Sequence, residues 1–342
     1  MDFLDLPLIW AGLLALAVML YVLLDGFDLG IGILFPFVEK DEQRNVMMNT
    51  VAPVWDGNET WLVLGGAGLF AAFPRAYAAL MPAIYMPIGF MLTALIFRGV
   101  AFEFRFRAEG SARRLWDQAF HWGSVAATFA QGLILGALVQ GIPLEDGRFA
   151  GGMFDWLTPF SFVTGCALLW GYALLGASWL IVKTEGELEA WCRRSAVIAA
   201  VVVVVMIAVV SVWVPALAAP PAQRWGLNYP DVDWSRLLVF SPVPILVALA
   251  FWRLLRGIRD GAVYRPYFWS VALFVMGYIG LLIGFYPYLI PYSLTIREAA
   301  AAPNAQALLL AGAAVMLPVI LGYTGYVYWV FRGKVSSASG YH

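Results

Sequence analysis

The stretch LLDGFDLGIGILFPF, residues 23–37, closes a run from Pro7 to Leu24 without a charged residue, then sets Asp25 and Asp28 three positions apart. Around it the chain is apolar throughout. Of 342 residues 62% are hydrophobic, 15% aromatic and only 13% charged, whereas soluble domains run at roughly 45–50% apolar and about 25% charged. The chain therefore reads as an integral membrane protein.

A helix needs about 20 predominantly apolar residues to cross the hydrocarbon core. Nine runs qualify: 8–35, 54–73, 76–97, 119–140, 159–182, 196–215, 237–256, 267–289 and 305–331. The fold expected is all-α and polytopic, with nine transmembrane helices in a single membrane domain. Gly26-Phe27 with Leu29 is echoed by Gly171-Tyr172 with Leu174 at an offset of 145 residues. The echo suggests two four-helix bundles, 8–140 and 159–289, followed by one peripheral helix, 305–331. In the second copy Trp170 and Ala173 replace the two aspartates, so such a span does not need the acids to fold.

Orientation follows from the basic residues, which gather in short cytoplasmic loops. The loops after spans one, three, five and seven, with the tail after span nine, hold sixteen of the 21 Lys and Arg. The N-terminus is thus expected outside and the C-terminus inside. The first span lacks a basic n-region and a small-residue cleavage site, so it reads as retained rather than as a signal peptide. A net charge of −1 gives no reason to expect nucleic acid as a partner. Cys166 and Cys192 form no C-x-x-C pattern, which argues against a thiolate metal site, c-type haem attachment or a disulfide framework.

With this orientation Asp25 lies about 26 Å along its helix from Leu8, at about 1.5 Å per residue, and so in the cytoplasmic half. The second span enters from the same side with PVWDGNETW, residues 53–61, which carries Asp56 and Glu59. A short loop between the spans is expected to make the two acidic clusters neighbours. Carboxylates at i and i+3 share a helix face. Like charges held close in a low dielectric raise the pKa of at least one of them, and a group that can exist in either form near neutral pH is what a proton relay needs. Asp25, Asp28, Asp56 and Glu59 are therefore candidates for a proton relay. Gly26 and Gly30 form a G-x-x-x-G that admits a neighbouring helix. The bland reading is that Asp25 and Asp28 snorkel at a helix end and that Asp56 caps the second helix. Arg98, Glu103, Arg105 and Arg107, at the inner end of the third span, read as a solvated, salt-bridged interface. Only two histidines exist, His121 beside Trp122 and His342 at the tail, so no haem or metal ligation by this chain alone is expected. His121 and its neighbour read as an interface anchor.

Four segments carry a family resemblance: DGFDLGIG at 25–32, PVWDGNETWLV at 53–63, FRGVAFEFR at 97–105 and GYTGYVYWVF at 322–331. Together they resemble subunit II of the cytochrome bd-type quinol oxidases. PYSLTIREA, residues 291–299, is similar to the cyanide-insensitive branch of that family. The resemblance implies a multi-pass protein of the bacterial inner membrane. Its partner would be a related subunit I that carries the b-type and d-type haems and the quinol site, with room for a small single-helix subunit and for membrane lipid or quinone. It further implies that quinol is oxidised near the outer face and dioxygen reduced to water with cytoplasmic protons. Asp28 and Asp56 match the family's acids, Asp25 joins them by proximity, and Glu59 stands where some relatives have a neutral amide. Two other readings remain: an ion-coupled transporter, disfavoured because the acids occur in only one half and lie toward the cytoplasm, and a purely structural partner subunit.

Overall fold

A computed structural model describes residues 5–217, 219–227 and 231–335; His342 lies outside them. Helix α1 spans Leu6–Leu34, its start fixed by Pro7 in the first turn and by the Asp5 carboxylate, which accepts from Leu8 N. Next come the short α2 (Asp41–Asn49), α3 (Trp55–Ala72), α4 (Pro74–Arg105) and α5 (Gly110–Gln140). Gly141, at φ +88°, ends α5 in a conformation that side chains resist. A two-stranded hairpin, β1 (Leu144–Glu145) and β2 (Arg148–Phe149), turns through Asp146 and Gly147, both at positive φ.

Helix α6 (Pro159–Lys183) opens with a reciprocal capping box between Thr158 and Ser161. It is followed by α7 (Gly186–Leu217), α8 (Ala219–Trp225), α9 (Trp234–Phe240), α10 (Pro242–Arg259) and α11 (Arg265–Phe285). The hairpin β3 (Tyr288–Ile290) and β4 (Leu294–Thr295) then leads through α12 (Ile296–Ala299) to α13 (Pro303–Val330).

Among the described residues, eight helical segments are long and apolar enough to cross a membrane. Eight of the nine expected runs fall on them, the run 237–256 being interrupted between α9 and α10 before Pro242. The run 54–73 forms α3, a helix of 18 residues that is not among the eight. Its first two turns carry Asp56, Asn58 and Glu59, and uninterrupted apolar sequence begins only at Trp61. The loop expected to be short holds α2, whose Met47 and Met48 are fully buried, so residues 38–54 form a packed element.

The centre of the fold is the crossing of α1 and α6, where residues 25–32 and 171–183 are buried without a break. A Cβ on Gly30 would stand 1.8 Å from the carbonyl oxygen of Tyr172, and one on Gly176 would stand 2.5 Å from the carbonyl carbon of Gly30. The two backbones touch, as small residues permit between membrane helices. The echoed segments of the two halves thus pack directly on each other. A second close crossing, Gly132 on Gly165, joins α5 to α6. The most extensive packing joins α4 to α5, α5 to α6, α1 to α6, α6 to α7, α10 to α11 and α1 to α3, while α13 lies along α1 and α3.

Candidate functional site

Asp25 and Asp28 sit well before the end of α1, and both are 0% exposed. Snorkelling is therefore excluded. A charge taken this far from solvent requires a partner, and the partner is Arg98. Its Nη1 donates to Asp25 Oδ1 at 3.2 Å, and its Nη2 stands 3.8 Å from Asp28 Oδ2. Arg98 is itself fully buried, two turns inside the end of α4, with its guanidinium over the Phe102 ring at 5.6 Å. The space behind it is closed by Gly123 of α5, where a Cβ would come within 2.8 Å of Ala94 O.

The cluster extends through amides and phenols. Asn58 Nδ2 donates to Asp28 Oδ2 at 2.8 Å and to Leu24 O at 3.3 Å, while its Oδ1 accepts from Tyr328 OH of α13 at 2.8 Å. On the other side Tyr21, one turn before Asp25 on α1, accepts from Gln131 Nε2 at 2.8 Å, and Tyr172 OH donates to Gln131 Oε1 at 2.7 Å. Asp25 Oδ2, Asp28 Oδ1, Arg98 Nε and Arg98 Nη2 are buried without a hydrogen-bond partner. The site therefore combines two carboxylates and one guanidinium with unused acceptor positions. Such a unit can take up a proton at a carboxylate oxygen and pass it along the donors and acceptors around it.

The other two sequence candidates stand outside the hydrogen-bonded core. Asp56 is exposed in the first turn of α3, and Val54, not Asp56, occupies the cap position, without a side-chain bond. Asp56 is thus not the N-cap residue itself, but it stands in the first turn, where the positive helix end favours a carboxylate. Glu59 is half-buried and interacts electrostatically with Asp25, Arg98 and Asp56. The polar residue of that segment that turns inward is Asn58.

The expected solvated interface at the end of α4 is corrected in part. Glu103 and Arg107 are exposed, but Arg98 and Arg105 are wholly buried. Arg105 pairs with Asp117 and donates to Asn45 Oδ1 at 2.7 Å, and Arg44 reaches Asp117 at 3.3 Å. This second ionic cluster fastens α2 to α4 and α5. At the surface, the ammonium of Lys40, which precedes α2, meets Glu187 in the first turn of α7 at 2.5 Å, and that hydrogen bond holds the lysine pKa above its usual range.

His121 is half-buried, with Nδ1 at 2.9 Å from Gly32 O and its ring edge-on to Phe37 and Trp122. No group of three or more His, Cys, Asp or Glu suited to a metal occurs among the described residues. His121, the one described histidine, is engaged in these contacts.

The family model for cytochrome bd terminal oxidase subunit II matches residues 6–331. Cytochrome bd-I ubiquinol oxidase subunit 2 of Escherichia coli is 29% identical, aligned over 98% of this chain and 96% of its own. Cytochrome bd ubiquinol oxidase subunit 2 of Bacillus subtilis is also 29% identical, over 96% of each. A chain in the solved bd oxidase of Geobacillus thermodenitrificans superposes with a TM-score of 0.78 over 96% of this chain and 99% of its own. At 16% identity that likeness is one of fold.

Proposed function

Because this chain belongs to the cytochrome bd terminal oxidase subunit II family, and so to a membrane-bound quinol oxidase complex with a subunit I partner, we propose that Asp25, Arg98 and Asp28 form a proton-transfer unit serving that complex. The observation that carries this reading is the buried excess of carboxylate over guanidinium, with one oxygen of each acid unpartnered. Intramembrane carboxylates of this kind are costly and mark proton paths.

In the proposed route Asp56, exposed on α3, collects protons from the cytoplasmic side. Glu59, one turn further on the same face, passes them to Asp25 and Asp28. Asn58 holds Asp28 in register, and the protons leave across the interface toward the haems, which this reading places in subunit I. Quinol oxidation belongs to the complex, and no quinone, lipid or third subunit is assigned to this chain. The experiment is the pair Asp25→Asn and Asp28→Asn in the purified two-subunit complex. Slowed quinol-driven oxygen uptake with an intact haem spectrum is the expected outcome; uptake at the wild-type rate in both would reject the route.

The proposed architecture has nine spans, with α3 crossing beside α1, arranged as two four-helix units and a final α13. The N-terminus lies outside and the C-terminus in the cytoplasm of the bacterial inner membrane. The segment 291–299 supports placement in the cyanide-insensitive branch, which residual oxygen uptake by the complex under cyanide would test.

A further inference from the structure

Lys183, the last residue of α6, is 4% exposed and has main-chain carbonyls rather than carboxylates as hydrogen-bond partners. Its ammonium donates to Phe331 O and, at 3.4 Å, to Gly333 O, and it lies over the Trp179 ring at 5.0 Å. Buried lysines are rare unless paired. Here the counter-charge is the negative end of α13, where carbonyls lack helical donors and a cation is favourable. The residues that follow continue the contact. Val335 N donates to Lys183 O at 2.8 Å, and Lys334 Nζ donates to Thr184 O at 2.9 Å and to Glu189 Oε2 at 3.4 Å.

Helix α13 needs such a fastening. Gln306, near its outer end, is its one buried residue, and there Gln306 donates to Ala72 O and accepts from Trp10 Nε1. Over the rest of its length the helix lies open on one flank. Yet Tyr328, three residues before Phe331, is the group that fixes Asn58, and Asn58 is the donor to Asp28. Trp179 connects the same parts a second time, edge-on to the Tyr328 ring at 5.9 Å and beneath the Lys183 ammonium.

We propose that Lys183 is a positioning residue for proton transfer: it latches the last turn of α13 and so holds Tyr328 on Asn58 and Asn58 on Asp28. The mechanistic half of this inference rests on the proton-transfer reading; the latch itself does not.

The test uses the intact two-subunit complex. Lys183→Met keeps the aliphatic stem and removes the donors, whereas Lys183→Arg keeps a cation. In Lys183→Met, hydrogen exchange at residues 328–333 should rise about tenfold, with residues 303–310 unchanged, because only one end of the helix is released. Lys183→Arg should restore protection. The kcat for quinol oxidation should fall with KM unchanged, and adding Lys183→Met to Tyr328→Phe should cause no further fall. Unchanged exchange, or losses that multiply in the double variant, would overturn the proposal. If Lys183→Met does not assemble, truncation after Arg332 removes the Gly333, Lys334 and Val335 contacts and is judged by the same readouts. Increased exchange together with wild-type turnover by Tyr328→Phe would sustain the latch and count against the proton-transfer reading.

Discussion

Arg98 and Asp25 form an ion pair of 3.2 Å with both side chains entirely withdrawn from solvent, and Asp28 stands beside them at 3.8 Å from the same guanidinium. One fixed cation holds two acids in the core of the protein. Removing the cation is therefore more disruptive than removing either acid. Arg98→Met should destabilise the chain by about 3–5 kcal/mol, the usual cost of leaving a buried charge uncompensated. The check is thermal unfolding of the purified complex, or its yield. Adding Asp25→Asn should restore part of the loss, and a double variant no better than Arg98→Met would show that the two charges are not coupled.

The crossing of α1 and α6 makes a second, steric demand. Gly30→Ala places a methyl group 1.8 Å from Tyr172 O, with backbone on the other side and no flexible side chain to yield. It should prevent accumulation of assembled complex. Gly277→Ala in α11, with nothing within 4 Å of the added atom, should assemble normally and serves as the control in the same membrane preparations.

Asp56 offers a cleaner separation of structure from function. Its exposed side chain neither caps α3 nor enters an ion pair among the described residues, so Asp56→Asn should change stability by no more than about 0.5 kcal/mol, as surface substitutions do. A several-fold loss of oxygen uptake with unchanged unfolding is the outcome expected of an entry residue. Wild-type uptake would remove Asp56 from the route.

What the sequence allowed and what it hid differ by physical cause. The depth of Asp25 and Asp28 was legible because α1 is apolar on both sides of them, and the close approach at Gly30 was legible from G-x-x-x-G. Arg98 was not. An apolar run ends where charge begins, so the sequence closes the third span at residue 97, whereas α4 runs on to Arg105 with Arg98 inside it. Asn58 carries no such signal, because an amide does not titrate and it stands between two acids that do, Asp56 and Glu59. Helix α2 was missed because DEQRNVMMN is polar in composition, with only Met47 and Met48 turned to the core.

Topology is open to direct labelling. Gly110 and Gly147 are exposed at opposite ends of α5, the first at its start and the second in the hairpin turn beyond it. Single cysteines there should react with a membrane-impermeant reagent from the cytoplasmic and the outer side respectively. Labelling of both from one side would contradict the proposed crossing of α5.

The central claim, that the Asp25–Arg98–Asp28 unit conducts protons, is tested most directly by following proton uptake and haem oxidation together as the fully reduced complex reacts with dioxygen. Asp28→Asn keeps the shape and a hydrogen-bonding amide but cannot carry a proton. The account expects haem reduction by quinol to stay fast and haem content to be normal, while proton uptake and the oxidation steps that consume protons slow together. Proton uptake at the wild-type rate in Asp28→Asn, with Asn58 and Tyr328 intact, would contradict it.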